Sequence, residues 1–350
     1  MSEKRQSQEP PADAAKHQQK KQASSVVEIK QDSKSSNDGG KFGTRTLSSG
    51  RDVFEHNAWD NVEPDSDHEE YASGQIKMHR EHPVPEEERE KYNTNPEQFW
   101  NDFYQNNTNK FFKDRHWLGL EFPELFKWTD KRVSAQEGEQ AENADDQQPA
   151  REDSGDAEKF RIMEVGCGAG NAVFPLLADV YDPRLFVYAC DYSSTAVSVV
   201  KANEAYNESR CKSFVWDLAS SSLPADVTPG SVDVMLMIFV FSALHPSQWQ
   251  QAVDNAYQLL RPGGVLLFRD YGRHDLAQLR FKKSRLLEDN LYIRGDGTRV
   301  YFFTNEELAE VFGRRFVVEQ NAVDRRLIVN RKRELKMYRV WMQCKFRKPE

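Results

Sequence analysis

A strand, a glycine turn and a helix start, read together at Phe160–Asn171 (FRIMEVGCGAGN), constrain this chain more than any other stretch. An apolar run enters three glycines spaced two apart, Gly166, Gly168 and Gly170, and an apolar helical stretch, Val173 to Tyr181, follows. Glycines in such a turn let backbone amides approach a ligand, and the first turn of a helix attracts electronegative groups. A dinucleotide fingerprint needs Gly-x-Gly-x-x-Gly, and its last position here is Asn171. The spacing therefore points to a nucleoside-type cofactor without a pyrophosphate, S-adenosylmethionine. The plainer alternative is a simple turn at a strand end.

Downstream, strand and helix patterns alternate. Strands are predicted at 160–165, 185–190, 213–216, 232–239 and 265–269, and helices at 171–181, 194–206, 246–260 and 304–312. Such alternation implies an α/β fold, a parallel sheet covered on both faces, with ligands at the carboxyl ends of its strands. Tyr338 to Phe346 reads as an added antiparallel strand. Asp191 ends the second strand about 20–25 residues beyond the glycine loop, where an acid can accept from ribose hydroxyls. Its alternative role is a helix cap, which Ser193 and Ser194 can supply themselves. Asp217 ends the third strand, suited to an exocyclic adenine amine. The fourth ends in Ile238 to Ser242, apolar and without the Asn/Asp-Pro-Pro-Tyr turn of many amine methyltransferases.

Charge is distributed unevenly. The net charge is -8, yet residues 261–350 hold 21 Lys/Arg against 12 Asp/Glu. A basic C-terminal third fits a polyanionic partner, or simply a solvated face. Basic and aromatic residues interleave at Arg269–Arg273, Arg280–Lys283 and Arg294–Phe303, a composition that holds phosphates and stacks on unpaired bases. The four cysteines are not paired at Cys-x-x-Cys spacing, so buried thiols are expected and no metal. No run approaches 18 apolar residues, so no membrane span is expected. Glu3 and Glu9, and the lack of an apolar segment near Met1, argue against a leader and leave the cytoplasm as the default, with the nucleus open.

Residues 1–40 have almost no large apolar side chains and read as a disordered tail. Residues 41–133 form an aromatic-rich N-terminal extension. Within it, Glu63 to Glu70 reads as a solvated acidic patch. Trp100 and Tyr104 stand four apart on one helix face, as do Phe99 and Phe103. Residues 134–158 read as an acidic disordered insert, and 159–350 as the catalytic domain.

Several stretches together resemble the eukaryotic methyltransferase-like enzymes that make 3-methylcytidine at position 32 of the tRNA anticodon loop, in their threonine-tRNA branch. They are VFEHNAWDNV (53–62), FFKDRHWL (111–118), MEVGCGAGNAVFPLL (163–177), RDYGR (269–273) and GDGTRVYFFT (295–304). Pro64 departs from the aromatic expected there. The resemblance implies a class I S-adenosylmethionine-dependent methyltransferase with a seven-stranded, mostly parallel sheet and an N-terminal extension. It implies that Trp100 and Tyr104 enclose the cofactor and that Gly166, Asp191, Asp217 and Ile238 complete its site. It also implies a tRNA substrate and, in some members, a partner such as an aminoacyl-tRNA synthetase. Cytosine N3 carries a lone pair at neutral pH, so positioning matters more than a strong base. The ring becomes cationic, and a carboxylate nearby stabilises it. Asp270, Asp296 and Asp114 are the expected carboxylates. Arg115, Arg273, Arg280, Lys282, Lys283 and Arg299 are the expected tRNA contacts. The rivals are a small-molecule methyltransferase and a non-catalytic RNA- or protein-binding scaffold.

Overall fold

The computed structural model describes residues 42–126, 128 and 159–350. In chain order its strands are β1 (Ala58–Asp60), β2 (Phe160–Val165), β3 (Leu185–Asp191), β4 (Cys211–Val215), β5 (Val232–Ile238) and β6 (Leu260–Tyr271), then β7 (Leu286–Glu288), β8 (Leu291–Ile293), β9 (Arg299–Tyr301), β10 (Val317–Asn330) and β11 (Leu335–Arg347). The helices are α1 (Ser66–Glu81), α2 (Glu86–Thr94), α3 (Pro96–Asn107), α4 (Leu118–Glu121), α5 (Val173–Asp179), α6 (Ser194–Lys201), α7 (Trp249–Leu259), α8 (Leu276–Leu279) and α9 (Asn305–Gly313).

The main sheet has the order β4-β3-β2-β5-β6-β11-β10-β1. β4 through β6 are parallel, and β11 runs antiparallel between β6 and β10. This matches the expected seven-stranded, mostly parallel sheet, extended by β1 to eight strands. The chain builds outward from β2 in both directions, and that reversal leaves a crevice at the carboxyl ends of β2 and its neighbours.

β2, β3 and β5 read as nearly continuous apolar runs because helices cover both faces. Ile162, Val187 and Leu236 pack with Val173 and Leu176 of α5. Met163, Met235 and Phe268 pack on the opposite face with Val253 of α7 and Phe312 of α9. The 2-residue strand period makes this division.

Three parts differ from the sequence reading. α1 begins inside the supposed acidic patch, because Asp65 caps it by accepting from the His68 amide at 3.0 Å. β10 escapes a periodicity reading because a charged residue, Asp324, is fully buried on it, paired with Arg269 and Arg326. β7, β8 and β9 are only three residues each, too short to leave a pattern. Residues 1–40 and the 134–158 insert lie outside the described residues.

The N-terminal arm adds β1 to the exposed edge of β10, Ala58 opposite Ile328. Trp59 is fully buried against Leu327, Val329 and Tyr338, and its indole N–H donates to the Val53 carbonyl at 2.7 Å. Part of an otherwise open edge, Arg326 to Ile328, is thereby covered.

Candidate cofactor and acceptor site

The turn after β2 requires glycine. Gly166 and Gly168 have φ of 66° and 56°, where other residues are strained. A Cβ on Gly166 would lie 2.5 Å from Val240, and one on Gly168 would lie 2.4 Å from the Tyr104 hydroxyl. Both glycines line a cavity of about 450 Å³, within the size range of small-molecule sites. Gly170 does not line it. A Cβ there would strike the Phe174 ring, so Gly170 packs α5 rather than meeting a ligand.

The cavity walls follow the sheet order. Asp217 stands beyond β4, Asp191 at the end of β3, the glycine loop after β2, Ile238 and Phe239 at β5, and Tyr271 at β6. Asp191 is almost fully buried. Its Oδ2 accepts from the Gly168 amide and its Oδ1 from the Ser193 amide, both at 2.8 Å. Burial raises its pKa to about 6, with these amides opposing. Ser193 Oγ caps α6 by accepting from the Ala196 amide at 3.1 Å. Asp191 therefore clamps the loop and still faces the cavity. Asp217 holds its own turn through the Ala219 amide at 2.8 Å.

α3 closes the cavity over the loop. Pro96 starts it with a fixed φ, and Asn101 fastens it to α6 by accepting from Ser193 Oγ at 2.6 Å. Trp100 and Tyr104 line the cavity with rings 6.2 Å apart and stacked. Phe103 lines it too, edge-on to Tyr104.

Several expected contacts are corrected by the structure. Asp270 is fully buried and does not line the cavity. Its carboxylate accepts from the Ser242 and Tyr271 amides at 2.9 Å, and burial raises its pKa to about 6. It ties two loops together instead of meeting a base. Asp114 is exposed, accepts from the Asn171 side chain at 3.1 Å and lies off the cavity wall. Arg115 turns inward to Glu164 at 3.0 Å. Arg273 grips both oxygens of Glu307, at 2.9 and 3.0 Å. Arg299 is buried in the cavity wall, donates to the Ala243 carbonyl at 3.2 Å, and burial lowers its pKa. Each of these three arginines is held by a protein partner, and Arg115 and Arg299 line the cavity itself.

Other expectations fall on usable positions. Asp296 is exposed at the cavity, and its Oδ1 accepts from the Thr298 amide and hydroxyl at 3.0 and 2.7 Å. Arg280, Lys282 and Lys283 are exposed, without an ion pair among the described residues.

The sequence reading missed Phe239, Tyr271 and Arg294 as individual residues. Phe239 has φ 58°, unusual for a bulky side chain. Its ring lies 4.9 Å from Tyr271, and Arg294 sits over the Tyr271 ring at 5.5 Å. The basic-aromatic interleaving pointed to these loops without separating inward from outward side chains. Phe111 and Phe112 also border the cavity and are exposed.

The family described as a methyltransferase domain matches residues 163–266. A tRNA N(3)-cytidine methyltransferase of Danio rerio is 50% identical across 88% of this chain and 89% of its own length. The chain belongs to the tRNA N(3)-cytidine methyltransferase family. A Schizosaccharomyces pombe tRNA N(3)-methylcytidine methyltransferase is 48% identical across 88% of this chain and 92% of its own length. The Saccharomyces cerevisiae tRNA(Thr) (cytosine(32)-N(3))-methyltransferase is 48% identical across 89% of this chain and 46% of its own length.

In this family member, the cavity suits S-adenosylmethionine on its own chemistry. The glycine cradle excludes a Cβ, Asp191 and Asp217 offer acceptors for hydroxyl and amine donors, and Trp100 and Tyr104 offer aromatic faces. No helix among the described residues is long and apolar enough to cross a membrane.

Proposed function

We propose that this chain transfers a methyl group from S-adenosylmethionine to N3 of cytidine 32 in a tRNA anticodon loop, with threonine tRNA among its substrates. One observation carries the reading: a cavity at the carboxyl edge of the sheet joins the Gly166–Gly168 cradle to an aromatic corner, in a chain 48% identical to a threonine-tRNA enzyme. Gly166, Gly168, Asp191, Asp217, Ile238, Trp100 and Tyr104 hold the cofactor. S-adenosylmethionine supplies an electrophilic methyl group when bound.

The chain's own residues do the rest. N3 lies on the pairing edge, so the base must leave its stack to be reached. The Phe239–Tyr271 corner packs the base, and the surrounding aromatic wall excludes water. Asp296 is the carboxylate that faces the cationic ring, since Asp270 and Asp114 are engaged elsewhere. Only its Oδ1 has partners among the described residues. Arg280, Lys282 and Lys283 meet RNA phosphates. The reading places the enzyme in the cytoplasm and counts an aminoacyl-tRNA synthetase among its accessory partners.

The test is incubation of the full chain with labelled cofactor and total tRNA, with and without synthetases, followed by nucleoside mass spectrometry. Labelled 3-methylcytidine is the expected product. No methylated cytidine with any tRNA or partner contradicts the reading; tRNA binding without product favours a scaffold.

A further inference from the structure

The hairpin of β10 and β11 carries nine Lys and Arg side chains between Val317 and Arg347. Six face carboxylates. Arg325 meets Glu63 at 3.2 Å, Lys336 meets Asp65 at 3.2 Å and Arg339 meets Asp275 at 2.8 Å. Arg326, Lys345 and Arg347 are likewise paired. The other three are consecutive: Arg331, Lys332 and Arg333, at the tip. All three are exposed, and none has an ion pair among the described residues. Glu334 beside them is exposed and also unpaired. A chain of net charge -8 that neutralises every other cation on this element leaves a concentrated positive tip.

The tip is held in shape and placed at the working edge. The Arg333 amide donates to both the carbonyl and the side chain of Asn330, at 3.2 and 3.1 Å. The last residue pair between β11 and β6 is Trp341 with Tyr271, and Tyr271 lines the cavity. Beyond it the hairpin continues from Val340 to Leu335. Those six residues carry the tip about 20 Å past the sheet edge at 3.3 Å per residue. The overhang is braced. Asp65 accepts from Lys336 and from the Tyr338 hydroxyl at 3.1 Å, and Asp275 accepts from Arg339 and from the Val340 amide at 2.8 Å. Trp59 of the arm packs on Tyr338 from the outer edge. A loop whose backbone is already held loses less freedom on binding.

We infer that the tip, Arg331–Arg333, is a phosphate-contacting finger for the RNA whose base enters the cavity, and that the N-terminal arm braces it. The finger rests on the proposed tRNA substrate. A strand that delivers one base to Tyr271 carries its phosphates out over this same edge. Three cations there bind without reading sequence, so they set register and affinity, and the base corner sets chemistry.

The test compares the full chain with an Arg331→Ala/Lys332→Ala/Arg333→Ala variant. tRNA affinity is measured across a potassium chloride series, with cofactor calorimetry and circular dichroism alongside. The expected result is a slope of log K against log salt shallower by about two to three, with cofactor affinity and fold unchanged. Between 50 and 200 mM salt the wild type then loses roughly 16–64-fold more affinity than the variant. An unchanged slope overturns the finger. A variant that keeps its tRNA slope but loses binding to a purified aminoacyl-tRNA synthetase overturns it in favour of a protein contact. A wild type that binds tRNA but makes no 3-methylcytidine defeats the enzymatic reading, and the slope comparison still decides the finger.

Discussion

Two arginine-carboxylate pairs in the interior, one at β2 and one joining β6 to β10, are built differently. Under the glycine loop, Arg115 meets Glu164 through one oxygen, at 3.0 Å. The second, Oε2, is buried without a hydrogen-bond partner among the described residues. Burial raises the Glu164 pKa from 4.5 to about 7, Arg115 opposing and Asp191 adding to the rise. On the antiparallel flank, Asp324 is fully buried between Arg269 and Arg326. Arg269 also donates to Gln343 and lies between the rings of Trp117 and Trp341, at 5.3 and 5.1 Å. The flank pair is satisfied on every side and serves as scaffolding. The loop pair is under-satisfied, and burial holds its carboxyl above the usual range beside the glycine loop. Satisfied networks rigidify, and partly satisfied ones remain responsive.

The largest effect should come from breaking the satisfied pair. Arg269→Met strands Asp324 in the interior and should cost about 3–5 kcal/mol, read by denaturant unfolding. A loss below 1 kcal/mol would mean that Arg326 alone neutralises Asp324. Trp59→Ala, on the same flank, should cost about 3–5 kcal/mol by emptying the arm's anchor.

Glu164→Gln should act through pH. The folded pKa lies above the unfolded value, so the folded chain holds a proton that the unfolded chain releases from pH 4.5 upward. That contribution is complete below pH 4.5 and is lost as pH rises through about 7. The variant should therefore gain on the wild type by on the order of 3 kcal/mol between pH 4.5 and 7.5. Parallel stability curves would show that Glu164 is fully ionised in the fold.

The smallest effect separates inward from outward cations. Arg273→Ala should cost at most about 1 kcal/mol and leave the salt dependence of tRNA binding unchanged. Replacing Arg280 and Lys282 together should lower that slope by about two. Equal effects on the slope would erase the distinction.

The parallel half of the molecule was legible because its signals are local. Glycine spacing, apolar strands and acids at strand ends lie within a few residues of each other, so Gly166, Asp191 and Asp217 could be placed on one edge. Spacing alone did not separate Gly170, which faces the Phe174 ring, from the two glycines that line the cavity. The partners of the arginines were hidden for a different reason. Arg115, Arg273 and Arg299 have partners 49, 34 and 56 residues away, and a charge in a sequence does not say which side of a wall it stands on. The same holds for Asp270, whose partner Ser242 belongs to another loop. The antiparallel flank was least legible, because β10 and β1 find their hydrogen bonds with segments remote in the chain.

The account rests on the glycine loop being a cofactor cradle and not merely a turn. Calorimetric titration of S-adenosylmethionine into wild type and Gly168→Val tests it most directly, with circular dichroism to show that both are folded. The added side chain meets the Tyr104 hydroxyl where even a Cβ comes within 2.4 Å. The account predicts one molecule bound by the wild type and binding weakened at least about 100-fold in the variant, roughly 3 kcal/mol. Equal affinity in a folded variant would contradict it.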